Sequence, residues 1–342
     1  MDGNLALSVV IPVYNLEKYI VPCIESVITN KGVDKESFEV IVVNDGSTDD
    51  SQRIVEHYIE QHPGYHVYLI NQKNQGVSVA RNVGLAKAQG KFVWFVDGDD
   101  LISNESLANI ISVLNFNIDL IRIGDCVSNI LFGNNNAIVA SYVAPVDLKQ
   151  GYILTAYKLL SDEYAHGHTT YIWKRQFLLD CHLEYPVGIS QNEDYCFLVP
   201  ALLYAKDAYV NLSFQFYLYR EDICSVSRGE HDELRLNNYV HNKFAVLNRL
   251  LKLNVLDKSN GYVYYINYLN RYVYTIVADC FFLKYPFYLL WYVLKRLKVM
   301  KLYPMKFLLS DVSKFRIWLF SHVGLFMIAC YIYRWTLGLM KK

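Results

Sequence analysis

The sequence predicts an α/β fold: a mostly parallel sheet with flanking helices, followed by a helical, hydrophobic C-terminal region. Three observations carry this. From Leu7 to about Gly124, short β-branched runs alternate with amphipathic segments of helical spacing, which implies right-handed crossovers and a parallel sheet covered on both faces. Acidic, glycine-bearing turns follow two of the apolar runs directly, at Asn44–Asp50 and Asp97–Asp100. The 342-residue chain is 53% hydrophobic and 15% aromatic, and much of that excess lies in its last third.

Taken in order, Leu7–Val13 reads as a buried strand. Glu17–Ile28 has helical spacing, with Tyr19, Ile20, Ile24, Val27 and Ile28 on one side. Phe38–Asn44 is a second strand, and Thr48–Gln61 a helix that Ser47 and Asp50 open with the spacing of a capping box. Val67–Asn71 is a third strand, Val77–Ala88 a third helix and Phe92–Val96 a fourth strand. About Ile130–Arg228 the chain is less regular and rich in Tyr, His and Trp, and Asn134–Asn136 marks a loop. Tyr262–Phe282 has helical spacing, Phe281–Val299 is aromatic and basic, and Ile317–Tyr333 is an apolar run between Arg316 and Arg334. The implied division is residues 1–228, with halves meeting near 125/126, and residues 229–342.

Charge is balanced, with 33 Lys and Arg against 33 Asp and Glu, so no global field selects nucleic acid as a partner. The seven cysteines include no C-x-x-C pair and read as scattered thiols of a reducing compartment. The first apolar run ends in Pro and Tyr and lacks a basic leader, so the expectation is cytoplasmic chemistry. Ile317–Tyr333 is at the short end for a membrane span. Its basic flanks, with the aromatic-basic stretch Phe287–Lys301, suit a helix lying in the membrane interface, peripheral to the inner face of the cell membrane. A span and a buried soluble helix are the alternatives.

Ligands of such sheets bind beyond the carboxyl ends of the strands, so the strand ends are where chemistry is expected. Pro12, Tyr14 and Asn15 close the first strand, and Asp45 lies where the second meets its turn, placed to accept from a donor such as a base imide. Ser47, Asp49 and Asp50 serve a helix N-terminus equally well. Asp97-Gly98-Asp99-Asp100 puts three carboxylates at the mouth of an apolar strand, where mutual repulsion and desolvation call for a cation. Oxygen-only ligation suits Mg²⁺ or Mn²⁺, which take one or two carboxylates and complete their shell with phosphate and water. Gly98 keeps the turn tight. Arg81 sits on the third helix opposite Val79, Val83 and Ala86, either as a surface side chain or near a nucleotide. Glu193 and Asp194 precede an apolar helical segment, where capping the helix is the competing role. In Tyr217-x-Tyr219-Arg220, followed by Ser225 and Ser227, Arg220 is suited to a diphosphate, although a strand end explains the motif as well. His166 and His168 read as structural or acceptor-lining rather than as metal ligands.

These segments resemble the nucleotide-sugar-binding half of family 2 glycosyltransferases, which have the GT-A fold. The resemblance rests on Val10–Asn15, Val43–Asp49, Asn74–Gly76, Ala80–Leu85 and Phe95–Asp100, in that order. It implies that Pro12, Tyr14, Asp45 and Arg81 line the base and ribose pocket. It implies that Asp97 and Asp99 form the D-x-D motif that contacts ribose, diphosphate and metal, with Asp100 as an alternative metal contact. Glu193-Asp194, after a Trp-x-Lys-like segment at Ile172–Arg175, is similar to the family's acidic pair. This makes Asp194 the general base, with Glu193 orienting it or helping to position the acceptor. The implied activity is inverting transfer from a nucleotide-sugar, UDP by family habit, to a hydroxyl of a saccharide or lipid-linked saccharide in surface polysaccharide synthesis.

Three rival readings compete with this one. A phosphatase of the haloacid dehalogenase type also places D-x-D after an apolar strand, but on its first strand, and here three strand–helix units come earlier. A non-catalytic sugar- or nucleotide-binding membrane adaptor does not need Asp97, Asp99 and Asp194 together. A dehydrogenase is disfavoured because no G-x-G-x-x-G follows any expected strand.

Overall fold

A computed structural model describes residues 5–114, 117–127, 147–161, 167–220, 233–255, 260–305 and 312–340. Asn134–Asn136, His166, Cys224, Ser225 and Ser227 lie outside the described residues. The chain divides into two compact units, Met1–Arg228 and Gly229–Lys342.

The first unit begins β1 (Leu7–Val13), α1 (Ile20–Ile28), β2 (Phe38–Asn44), α2 (Ser51–Gln61), β3 (Val67–Asn71), α3 (Val77–Lys87) and β4 (Phe92–Phe95). It continues β5 (Leu101–Ile102), α4 (Ser106–Val113), β6 (Leu120–Ile123), β7 (Tyr152–Thr155), β8 (Tyr171–Lys174), α5 (Arg175–Asp180), α6 (Glu193–Tyr204), β9 (Asp207–Asn211) and β10 (Tyr217–Leu218). The eight-stranded sheet runs β3-β2-β1-β4-β8-β6-β9-β7, and β10 pairs separately with β5. From β3 to β4 all pairings are parallel, as the alternation of strands and helices implies. Beyond β4 the sheet is mixed: β8 is antiparallel to both its neighbours, and β9 is parallel to β6 and antiparallel to β7. The strands β6 to β9 lack a legible period because none exceeds five residues, and β6, β8 and β9 are buried along nearly their whole length.

Both faces of the parallel half are packed. Leu7, Val9, Ile11 and Val13 of β1 join Ile20, Ile24 and Val27 of α1 and Leu107 and Ile110 of α4 in one core. The other side of β1 meets α3. A methyl group on Gly84 would lie 2.2 Å from Val10 Cγ1, so only glycine lets this helix approach so closely. Gly84→Ala is expected to lower the urea midpoint of unfolding by an amount equivalent to about 1–3 kcal/mol, since the sheet side cannot yield. Midpoints of the two proteins at equal slope are the check.

Two helix readings are corrected. The second helix starts at Ser51 rather than Thr48, and its expected capping box is absent. Ser47 Oγ instead accepts from the Asn15 N–H at 3.0 Å, because the two strand-end loops lie side by side. On α3 the faces are reversed. Arg81 is buried with Ser78, Ala80, Gly84 and Leu85, while Val79 and Val83 are half-buried and Ala86 is exposed. Burial of a guanidinium requires carboxylate partners, and these come from elsewhere in the chain.

The second unit is helical: α7 (Glu233–Leu250), α8 (Asn260–Phe282), α9 (Phe287–Val299), α10 (Lys314–Ser321) and α11 (Val323–Met340). Its interior carries a paired charge, with Lys243 Nζ 2.8 Å from Asp279 Oδ2. The expected apolar run Ile317–Tyr333 is broken at His322. Among the described residues no single helix is long and apolar enough to cross a membrane, and Lys314–Ser321 with Val323–Tyr333 meets those limits only as a pair bent by 104°.

Candidate active site

The site is built at the carboxyl ends of β1, β2 and β4. Asn15, with φ of 54°, turns the chain out of β1, and its Oδ1 accepts from the Thr48 N–H at 2.8 Å. Leu16 N–H donates to Ser51 Oγ at 2.8 Å, and Glu17 N–H to Asp49 Oδ2 at 3.1 Å. The loops after β1 and β2 are thus laced together before any ligand arrives. Pro12 is buried in β1 opposite Val43, and Tyr14 stands 47% exposed just beyond the strand.

Asp45 is buried, and the protein already uses both its oxygens. Oδ1 accepts from Gln72 Nε2 at 2.7 Å and from the Gln75 N–H at 2.8 Å, and Oδ2 accepts from the Gly76 N–H at 2.8 Å. A carboxylate has about four acceptor positions, so one on Oδ2 is left for a ligand donor. Gly46, with φ of +69°, permits the arrangement, since a Cβ there would meet the Asn74 nitrogen at 2.7 Å.

The acidic cluster lies after β4. Burial works against ionisation of Asp97, but the Arg81 guanidinium outweighs it and holds this carboxylate below its ordinary range. Asp97 Oδ1 takes Arg81 Nη2 at 2.8 Å, its side chain is 31% exposed, and Oδ2 receives no hydrogen bond from the described residues. Asp99 is half-buried, and its carbonyl accepts from Arg220 Nε at 2.7 Å. Asp100 is buried and held at both oxygens: Tyr217 Oη donates to Oδ2 at 2.6 Å and the Arg220 N–H to Oδ1 at 2.8 Å. Burial first, then the charges of Asp97 and Asp99, push Asp100 up to about 8. Held at both oxygens, Asp100 is bound to the loop. Among the described residues no group of three or more His, Cys, Asp or Glu is arranged to hold a metal ion. The D-x-D carboxylates Asp97 and Asp99 are oxygen donors of the kind Mg²⁺ or Mn²⁺ takes, and two of them fit such an ion only when phosphate and water supply the other ligands.

The opposite wall comes from the amino end of α6. Arg81 Nη1 reaches Glu193 Oε1 at 2.8 Å, so this one buried guanidinium joins a strand-end carboxylate to a helix 112 residues further on. Tyr185 covers it, with Arg81 Cζ 5.1 Å from the ring centroid. The Tyr185 backbone is fixed in turn by Asn82, which donates to its carbonyl at 2.9 Å and accepts from its N–H at 2.8 Å. Glu193 opens α6 after Asn192, whose φ is 60°, and Asp194 is the next residue of its first turn. Burial first, and then the Glu193 charge, raise Asp194 to about 7. A carboxylate poised near neutrality can accept a proton from a hydroxyl at physiological pH, which an ordinary surface aspartate does poorly.

Two further groups complete the setting. Arg220 packs over the Tyr19 ring at 5.0 Å and reaches the Asp99–Asp100 turn because β10 pairs with β5. His168 is buried with Nε2 4.0 Å from Asp97 Oδ1. Burial, then the neighbouring Arg81 charge, pull it down to about 3, so it is neutral across the physiological range. Asn82 and Tyr185 escaped the sequence reading. A lone Tyr in a loop carries no local signal, and the Asn82 amide acts on a backbone 103 positions away.

Comparison with known proteins bears on this geometry. The model of glycosyl transferase family 2 matches residues 8–141. An uncharacterized glycosyltransferase of Bacillus subtilis, EpsJ, is 29% identical over 225 residues, covering 63% of this chain and 61% of its own. Across the first three curated relatives it matches, the chain spans between 12% and 61% of the relative's length. Among solved structures, residues 1–349 of TarS from S. aureus in complex with UDP-GlcNAc superpose with a TM-score of 0.64 at 22% identity, covering 85% of this chain and 80% of that one. A mannosyltransferase of Pyrobaculum calidifontis in complex with GDP-Man and Mn²⁺ superposes with a TM-score of 0.51 at 16% identity, covering 96% and 86%. Residues 8–141 are thus similar to glycosyl transferase family 2, and the first unit has the GT-A fold.

Proposed function

We propose that the protein transfers a sugar from a nucleotide-sugar, a UDP-sugar foremost, to an acceptor hydroxyl with inversion at the anomeric carbon. The observation that carries this reading is that Arg81 joins Asp97 of the D-x-D turn to Glu193, the residue that precedes Asp194. Pro12, Tyr14 and the remaining acceptor position on Asp45 receive the base and ribose. Asp194 takes the proton from the acceptor hydroxyl as that oxygen bonds to C1 of the sugar. The C1–oxygen bond to the diphosphate breaks, and the nucleoside diphosphate leaves with its electron pair. A Mg²⁺ or Mn²⁺ ion held by Asp97 and Asp99 would neutralise charge on the leaving diphosphate. Arg220, hydrogen-bonded to the turn of Asp99 and Asp100, adds a guanidinium beside it. Positioning and electrostatics dominate catalysis through an oxocarbenium-like transition state. The acceptor is a saccharide or lipid-linked saccharide of a surface polysaccharide. The two solved relatives, with UDP-GlcNAc and GDP-Man bound, support a nucleoside diphosphate sugar as donor.

The test is release of nucleoside diphosphate from a panel of UDP-, GDP- and dTDP-sugars, with Mn²⁺ and with EDTA. Slow release from one donor class is expected, stopped by EDTA and lost in Asp99→Ala. Turnover undiminished by EDTA removes the cation from the proposal. Phosphate release from phosphorylated substrates, with no donor turned over, overturns the transferase reading.

A further inference from the structure

The end of the chain separates charge from the rest of the protein. From Lys284 to Lys342 there are eleven Lys and Arg and one acidic residue, Asp311, a formal charge of +10. The whole chain sums to +0, so residues 1–283 carry −10. The apolar excess lies in the same stretch. Among the described residues, twelve of the twenty-four exposed large apolar side chains occur from Phe282 onward, a density that isolated surface residues do not reach.

The helices explain how these side chains come to be outside. Ile317 and Phe320 of α10, with Phe326 and Cys330 of α11, are buried within the unit, so the outward faces keep what remains. Phe315 and Trp318 are 67% and 47% exposed and stack with ring centroids 5.9 Å apart. Ile328 and Tyr331 of α11 are 56% and 59% exposed, and Trp291 of α9 is 54% exposed. Lys314 and Arg316 flank Phe315 and are exposed as well. Among the described residues no single helix is long and apolar enough to span alone, and the 104° bend between Lys314–Ser321 and Val323–Tyr333 suits two helices lying flat.

We propose that α9, α10 and α11 form a docking surface for an anionic lipid bilayer, the inner face of the cell membrane. Phe315, Trp318, Ile328 and Tyr331 enter the headgroup region, where aromatic rings partition, and Lys314 and Arg316 meet lipid phosphates. Charge selects this occupant. A second copy would bring +10 against +10, whereas an anionic surface complements it. Aliphatic side chains such as Ile328 have no partner on a nucleic acid but do in hydrocarbon. The surface stands independently of the transfer chemistry.

The test is co-sedimentation of the full chain with vesicles of phosphatidylcholine, with and without phosphatidylglycerol, at low and high salt. Binding is expected on the anionic vesicles only and should weaken with salt. Lys314→Glu with Arg316→Glu should lower partitioning by at least about tenfold. Phe315→Ser with Trp318→Ser should lower it at every salt concentration. These positions are exposed, and an unchanged thermal melt verifies the fold. No binding to anionic vesicles, or equal binding to neutral ones, overturns the proposal. So does a dimer in vesicle-free solution that Phe315→Ser with Trp318→Ser dissolves, or preferential retention on DNA.

Discussion

Asp194→Asn is expected to retain nucleotide binding while losing transfer, with kcat falling by about 10²–10⁴-fold, the range for loss of a positioned general base. The amide keeps the shape of the side chain and removes only its basicity. Calorimetric titration with UDP in the presence of Mn²⁺ checks the first half, and product formation checks the second. The same residue sets the acid limb of the pH profile. Asp194 is raised to about 7 by burial and by Glu193, so it is ionised above that value and protonated below it. Only the ionised form accepts a proton, so kcat/KM should fall with unit slope as pH drops below about 7. An acid limb centred near the ordinary carboxylate value of about 4 would remove Asp194 from the role of base. So would an Asp194→Asn enzyme that transfers normally.

Arg81→Met is expected to have the largest effect on stability. It removes the cation between Asp97 and Glu193 and leaves two carboxylates facing one another in a largely buried setting. Removing one partner of a buried ion pair costs about 3–5 kcal/mol. The sign with pH follows from Asp97, which Arg81 holds below its unfolded value. That contribution is present above the unfolded carboxylate pKa and is lost as pH falls through the folded one. The deficit of Arg81→Met should therefore be full at pH 7 and narrow as the pH is taken below about 4. Arg81→Lys keeps the charge, but a single ammonium lacks the planar fork that meets two carboxylates through separate nitrogens, so partial recovery is expected. Urea denaturation across pH is the measurement. A deficit that does not change with pH would mean that the guanidinium acts through packing on Tyr185 rather than through the carboxylates.

The parallel half of the sheet was legible because each of its strands is a short continuous apolar run and each helix shows a period near 3.6. Ser47 shows where local reading failed. Its spacing to Asp50 is that of a capping box, yet its hydroxyl serves Asn15 on the neighbouring loop. A capping motif is a statement about four residues, and it yields when a donor from another strand end lies closer. Arg81 shows the same limit on a larger scale. The pattern of apolar residues turned it outward, but the pairing of α3 with β1 through Gly84 turned it inward, toward carboxylates that no local window contains. The D-x-D motif and the Glu-Asp pair could be named in advance. That Asp100 is consumed by Tyr217 and Arg220 could not, since those partners are supplied by the short β5–β10 ladder.

The sequence by itself determined the chemistry on offer: acidic turns after apolar strands, a second acidic pair before a helix, and a basic, aromatic end to the chain. Local composition and period suffice for that, because burial of apolar runs and the special geometry of glycine turns act over a few residues. Only the tertiary structure decided which carboxylates share a cation, which are spent on loops, and which one is raised to neutrality. Those outcomes depend on distance and burial between groups 16 and 112 positions apart, and the electrostatics of a low-dielectric site are set by such neighbours rather than by position along the chain.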